Sequence, residues 1–234
     1  MASDLTRRAF LRNAGLAGAA TAATASEKPR EATAGRVKII GVACSPRKGK
    51  TTAAAVRACL DAAAEAGEDV AVELIELAGL AIDGSLAAGI RLPPGQKDDF
   101  PPIAKKLADP NVGGIILGTP VYFSGMSSLC KAFLDRWMAF RRTFPLTDKV
   151  AGVLAVGGSR NGGQEVAIRS VQDALFCHDL IVVGSGRPTS RFGAAVWSKG
   201  GAIDGDKDGL PYVRNLGRRV ATVALALARS GAGT

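Results

Sequence analysis

Histidine is almost missing from this chain: His178 is the only one in 234 residues. That excludes a metal site built on several imidazoles, and no Ser–His–Asp set assembles convincingly around it. It follows Cys177 at the end of a predicted helix, where packing or C-terminal capping is its expected role. Cysteine is scarce as well. Cys44, Cys59, Cys130 and Cys177 form no C-x-x-C pair, and no two have metal-ligand spacing. Cys59 and Cys130 fall on the apolar stripes of predicted helices and read as small buried hydrophobes. Aromatic residues make up only 5% of the chain while Ala and Gly are plentiful, which suggests tight helix-on-sheet packing. Acidic residues are outnumbered by basic ones, 21 to 30, for a formal charge of +9. The Lys and Arg are scattered, with only short runs such as Arg141–Arg142 and Arg218–Arg219. They read as a solvated basic surface, not a nucleic-acid footprint, and no nucleic-acid partner is expected.

What the chain does have is three glycine- and serine-rich loops, each following a short apolar run. Gly41 to Thr52 reads GVACSPRKGKTT, Gly118 to Gly125 reads GTPVYFSG, and Gly157 to Glu165 reads GGSRNGGQE. The runs before them, Val37 to Val42, Val112 to Leu117 and Val150 to Val156, are rich in Val and Ile, as strands covered on both faces must be. Two further strands are expected at Val70 to Ile75 and Leu180 to Val183. Helices are expected at Thr51 to about Glu65, Pro101 to Ala108, Gly125 to about Phe140, after Asn161, and about Asp206 to Ala228. The third of these has the clearest period, with Met126, Leu129, Cys130, Phe133, Leu134 and Trp137 on one face. Gly184 to Gly205 reads as a long loop of the kind that is functional or disordered. Alternating strands and helices predict an α/β, doubly wound, five-stranded parallel sheet in the order 2-1-3-4-5, with helices on both faces. Ligands bind such sheets at the carboxyl edge, and the first loop, at a helix start, suits a phosphate.

These three loops resemble those of the flavodoxin-like FMN proteins, and within them the NAD(P)H-dependent FMN reductase and iron–sulfur flavoprotein group. That group carries loops of the form G-S-P-R-K-G-G-N-T, G-S-P-V-Y-F and close to G-G-S-R-N-G-G-Q-E. The resemblance spans Val37 to Ala228 and implies a flavodoxin-like FMN-binding domain over 37–229. In the first loop, Ser45 and Thr52 offer hydroxyls, Arg47 a planar fork and Lys48 or Lys50 a point charge, with helix-start N–H groups at Thr51 and Thr52. The group has Asn where Thr51 stands, usually Gly where Lys50 stands, and Gly or Ser where Cys44 stands. Pro120, Val121, Tyr122, Phe123 and Ser124 would line the isoalloxazine ring, with Tyr122 or Phe123 stacking on it. Gly157, Gly158, Ser159, Arg160 and Gly163 would approach its pyrimidine edge, with Arg160 either stabilising negative charge on reduced flavin or forming a surface ion pair. The expected activity is FMN-dependent oxidoreduction, with NADPH or NADH as donor and a small-molecule acceptor or redox protein as partner. No side chain is singled out as catalytic, because the flavin carries the chemistry. A homodimer or homotetramer is the expected assembly.

Iron–sulfur members of the group carry a compact cysteine motif before an Asp-Asp-hydrophobic segment, here Asp98-Asp99-Phe100. Residues Ala81 to Lys97 contain no cysteine, so no cluster is expected. Two other functions compete. Gly49-Lys50-Thr51 mimics the end of a P-loop, but Cys44 stands where that motif needs Gly. A non-enzymatic electron carrier between redox proteins is the second alternative, its basic surface docking acidic partners. The N-terminus adds a question of place. Thr6-Arg7-Arg8-Ala9-Phe10-Leu11-Arg12, a weakly apolar stretch and Ala23-Thr24-Ala25 resemble a twin-arginine export signal over 1–25, followed by a polar linker over 26–36. The expected destination is periplasmic or extracellular, where nicotinamides are scarce and a quinol or protein donor gains weight.

Overall fold

The computed structural model describes residues 37–231. The signal and linker expected over 1–36 lie outside them. The elements are β1 (Val37–Ala43), α1 (Thr51–Ala64), β2 (Val70–Glu76), α2 (Phe100–Leu107), β3 (Val112–Pro120), α3 (Ser128–Asp135), β4 (Val150–Gly157), α4 (Gln164–Phe176), β5 (Ile181–Val183), β6 (Ala194–Trp197) and α5 (Gly209–Ser230). The pairings are parallel, and the sheet order is β2-β1-β3-β4-β5 as expected. The sheet is built from six strands and not five. β6 also pairs with β4, with Leu154 beside Ala194 and Gly157 beside Trp197, just beyond the stretch where Val150 to Gly152 lie beside Ile181 to Val183. The fifth place in the sheet is therefore shared by two strands in succession, and the expected Gly184 to Gly205 loop contains the second.

Strand alternation divides the core. Ile40, Val42, Ile115, Leu117 and Val153 face one layer, with Phe100, Ile103, Phe133, Ile168, Val171 and Leu175 from α2, α3 and α4. Ile39, Ile116, Val150 and Leu154 face the other, with Val56, Cys59, Leu60, Val213, Leu216 and Val220 from α1 and α5. The first layer holds an edge-to-face cluster in which Trp137 meets Phe133 at 5.7 Å and His178 at 5.4 Å between ring centroids. His178 thus serves packing, and burial holds its imidazole below the ordinary value, with the nearby Arg141 charge acting in the same sense. The second layer depends on close approach. A Cβ on Gly217 of α5 would collide with the Cys59 carbonyl oxygen of α1.

The third helix starts later than its periodicity suggests. Gly125 is used in a turn, hydrogen-bonding with Tyr122 in both directions. Ser127 then caps the helix, its Oγ accepting from Cys130 N at 3.1 Å. From Arg136 to Phe140 the helix tightens into a 3₁₀ turn. That turn places Arg136, 9% exposed in its side chain, on Asp98 through two 2.8 Å hydrogen bonds, with its guanidinium 4.6 Å from the Phe100 ring centroid.

Two outcomes test these contacts. Gly217→Ala should destabilise by about 2 kcal/mol despite its gain of ~1 kcal/mol in helix propensity, because a backbone carbonyl cannot swing aside; denaturant midpoints read this directly. Asp98 is held below the ordinary carboxylate value by its hydrogen bonds from Arg136, against the opposing effect of burial. Its contribution is complete above the unfolded value, ~3.9, and is lost as pH falls through the lower folded value. Asp98→Asn should cost about 2–4 kcal/mol at neutral pH and flatten the acid limb of the stability profile.

Candidate functional site

The carboxyl ends of β1, β3 and β4 bring the three loops together. Cys44 N donates to Gly118 O at 2.7 Å, and Ser127 Oγ donates to Cys44 O at 2.7 Å, which joins the first loop to the second. Val121 N donates to Val156 O at 2.9 Å, which joins the second to the end of β4.

The first loop is shaped for an anion. Ser45 is buried and its Oγ accepts from Arg47 N at 3.2 Å, closing a local turn. Lys50 enters α1 in an extended conformation and no side chain caps the helix. The first-turn N–H groups and the positive end of the helix dipole are left for a ligand. Among the described residues, Arg47, Lys48 and Lys50 are exposed and form no ion pair. Thr51 and Thr52 are both buried, and the Thr52 methyl packs under Gly118. Gly49 N donates to the Glu76 carboxylate at 2.7 Å, so one acidic group from β2 already steadies the loop.

In the second loop, Tyr122 and Gly125 close a turn whose central residues, Phe123 and Ser124, both have positive φ, 48° and 62°. Such turns favour Asn-Gly, and each non-glycine residue here costs about 1–2 kcal/mol. The strain displays the aromatics: Tyr122 is 45% exposed and Phe123 wholly so. Both residues are exposed on the loop that follows β3.

The third loop is fastened from two sides. Gly163, at φ 92°, lies against Ser124; a Cβ there would come within 2.6 Å of Ser124 Cα. Gln164 opens α4 and also folds back, its Nε2 donating to Ser159 O at 2.5 Å and its Oε1 accepting from Gly162 N at 2.8 Å. On the far side, Ser198 N donates to Gly157 O at 2.8 Å and Trp197 Nε1 donates to Gly158 O at 3.1 Å. A Cβ at Gly158 would meet nothing within 4 Å, so the backbone there is open to a close-fitting ring. Arg160 is ion-paired with Asp206, which is 0% exposed. Of the two roles expected for Arg160, the structure shows the ion pair, with a buried partner. Trp197, Asp206, Glu76 and the fold-back of Gln164 escape a reading of the sequence. Trp197 lies in a glycine-rich stretch, and Asp206 sits in Gly-Asp-Lys-Asp-Gly, which looks like solvated loop.

The interlocking of the second and third loops has a measurable consequence. Gly163→Ala adds a Cβ where φ is positive and Ser124 is in the way. It should lower FMN affinity at least tenfold while leaving the far-ultraviolet circular dichroism unchanged, because the strands and helices do not depend on this contact.

The comparisons agree with this geometry. Residues 37–194 match the family described as NADPH-dependent FMN reductase. An iron–sulfur flavoprotein of Methanocaldococcus jannaschii is 39% identical over 191 residues, which covers 80% of this chain and 97% of that one. An NAD(P)H dehydrogenase (quinone) of Paracoccus denitrificans is 34% identical over 196 residues, covering 76% of this chain and 88% of that one. Among solved structures, RosB superposes with a TM-score of 0.64 at 16% identity, covering 85% of this chain and 82% of that one. A WrbA-like flavodoxin from Agrobacterium tumefaciens gives 0.56 at 18% identity, covering 81% and 97%. These structural matches show the flavodoxin-like fold, and the sequence match shows more: the chain belongs to the NADPH-dependent FMN reductase family, flavin-dependent oxidoreductases that use FMN.

Proposed function

We propose that this protein holds FMN across the three loops and passes electrons from NADPH or NADH to a small-molecule acceptor of the quinone class. The observation that carries the reading is the uncapped start of α1 beside three exposed cations that form no ion pair among the described residues, with two exposed aromatics on the loop after β3. The residues fit the cofactor. Arg47, Lys48, Lys50 and the N–H groups of Thr51 and Thr52 would hold the phosphate. Tyr122 and Phe123 would cover ring surface, and the open backbone at Gly158 would accept its polar edge. Bound FMN supplies the two-electron carrier that no side chain of this chain provides. The protein's own part is to orient the ring and hold the phosphate. The quinone class is suggested by the Paracoccus relative's name. The absence of cysteine from Ala81 to Lys97 supports transfer through flavin alone, in contrast to what the Methanocaldococcus relative's name indicates for that protein.

We also propose that residues 1–25 direct export by the twin-arginine route, on the strength of Arg7-Arg8 followed by Phe10-Leu11. Export favours a second reading of the electron donor, a quinol or a redox protein in place of a nicotinamide.

Anaerobic mixing with NADPH and NADH separates the two donors. Rapid, saturable bleaching of the flavin supports the reductase; inertness to both with fast reduction by a quinol or redox protein supports the second reading. Failure to bind added FMN would sink both. In the first loop, Arg47→Ala should weaken FMN roughly ten- to a hundredfold, the equivalent of ~1.5–3 kcal/mol for a charge-assisted hydrogen bond, and leave riboflavin unchanged. Equal losses would place Arg47 away from the phosphate. For export, Arg7→Lys with Arg8→Lys keeps the charge but removes both guanidinium groups. The double variant should stay in the cytoplasm while wild type leaves; equal export of the two rejects twin-arginine recognition.

A further inference from the structure

The family match ends at residue 194, yet one side of the third loop is held by residues C-terminal to that point. β6 and the segment after it run alongside β4 and then turn into α5. At that turn sits Asp206, fully buried. Its carboxylate accepts from Trp197 N at 2.6 Å and from Gly209 N at 2.8 Å, at the end of β6 and the start of α5. It also takes the Arg160 guanidinium, through Nη2 and, at 3.4 Å, Nη1. One carboxylate therefore joins the third loop, the last strand and the last helix. Arg160 is sandwiched further, with its guanidinium 5.6 Å from the Trp197 ring centroid, and Lys199 Nζ lies 5.4 Å from the same ring.

Burial alone would push the Asp206 carboxyl up, but the hydrogen bonds from Arg160, Trp197 and Gly209 outweigh it, and the group stays below the ordinary carboxylate value. The ionised pair has a consequence for charge. Arg160 is the one cation within the Gly157 to Gly163 loop, and its partner cancels it at close range. Asp208, 3.6 Å away and mostly exposed, adds a weaker, solvent-screened attraction.

We propose that Asp206 is a positioning residue of the flavin site, fixing Arg160 and neutralising its charge, so that this ion pair sets the midpoint potential of flavin bound at the third loop. The inference rests on the reading that this loop borders the FMN ring. Reduction adds negative charge to the flavin, so a net positive charge at this loop favours the reduced form and a net negative charge disfavours it. A tenfold change in the ratio of affinities for reduced and oxidised flavin moves a two-electron potential by about 30 mV.

The test uses FMN-loaded protein titrated against dyes of known potential at about pH 8, where a carboxylate is ionised. Asp206→Asn leaves Arg160 uncompensated and should raise the potential. Arg160→Gln leaves the buried carboxylate uncompensated and should lower it. The double variant, Arg160→Gln with Asp206→Asn, should return close to wild type. Each single shift should correspond to at least a tenfold change in that affinity ratio. Loss of a purely structural support would loosen FMN in both single variants without opposite shifts in potential. Shifts of the same sign, or none, overturn the proposal while leaving FMN binding intact. Wild type that binds no FMN would overturn the functional reading and this inference with it. Should Asp206→Asn fail to fold, Arg160→Gln still decides, because Arg160 reaches the surface with 35% of its side chain exposed. Its potential must fall, and an unchanged value overturns the proposal.

Discussion

Everything at the functional edge depends on how closely α1 lies against its neighbours. The helix must place an uncapped N-terminus beside β3, and it does so with small residues on its buried face: Ala53, Ala55, Ala62 and Ala63 are all buried. Opposite it, α5 carries Gly217, where a side chain would strike the Cys59 carbonyl. A larger residue at this crossing would push α1 outward and carry Thr51, Thr52 and the loop before them away from β3. The low aromatic content of the chain reflects this constraint on one layer only. The other layer, under α2 and α3, takes the large rings Phe100, Phe133, Trp137 and Phe140.

The same asymmetry explains what could be read from sequence. Strands β1, β3 and β4 were legible because both faces are covered, so apolar residues dominate them, with Lys38 in β1 and Thr119 in β3 the polar exceptions. Their ligand loops follow directly, and Ser45, Arg47, Lys50, Tyr122, Phe123 and the third-loop glycines all lie on one edge. β6 was not legible. Ala-Ala-Val-Trp between glycines carries too little apolar length to outweigh its surroundings. It becomes a strand because β4 continues past the end of β5 and offers unpaired backbone from Leu154 to Gly157. The third helix was legible in its apolar face and in its end near Phe140, where it finishes as a 3₁₀ turn, but not in its start. Gly125 fits a helix in sequence, while the turn closed with Tyr122 claims it first.

Asp206 illustrates a broader limit. Its importance comes from three partners that lie 46 residues before it, 9 before it and 3 after it. Local pattern reading sees only the last of these and finds an aspartate near a helix start. A carboxylate there is commonplace as a cap. Only tertiary structure shows that it is fully buried and that it faces a cation on a ligand loop.

The two ends of the site therefore have different electrostatics. At the first loop, Arg47, Lys48 and Lys50 have no acidic partner among the described residues, and the Glu76 carboxylate accepts from the backbone N–H of Gly49 and not from these side chains. The fixed negative charge of a phosphate bound there would meet solvated, exposed cations, and their number would adjust affinity. At the third loop the one cation is held rigidly and cancelled by a group sealed from solvent. Charge that appears only on reduction would meet a neutral, preorganised surface. On the proposed reading, affinity and potential would be governed by different residues on different loops, so a change at Arg47 would alter how tightly the cofactor is held without altering how readily it accepts electrons.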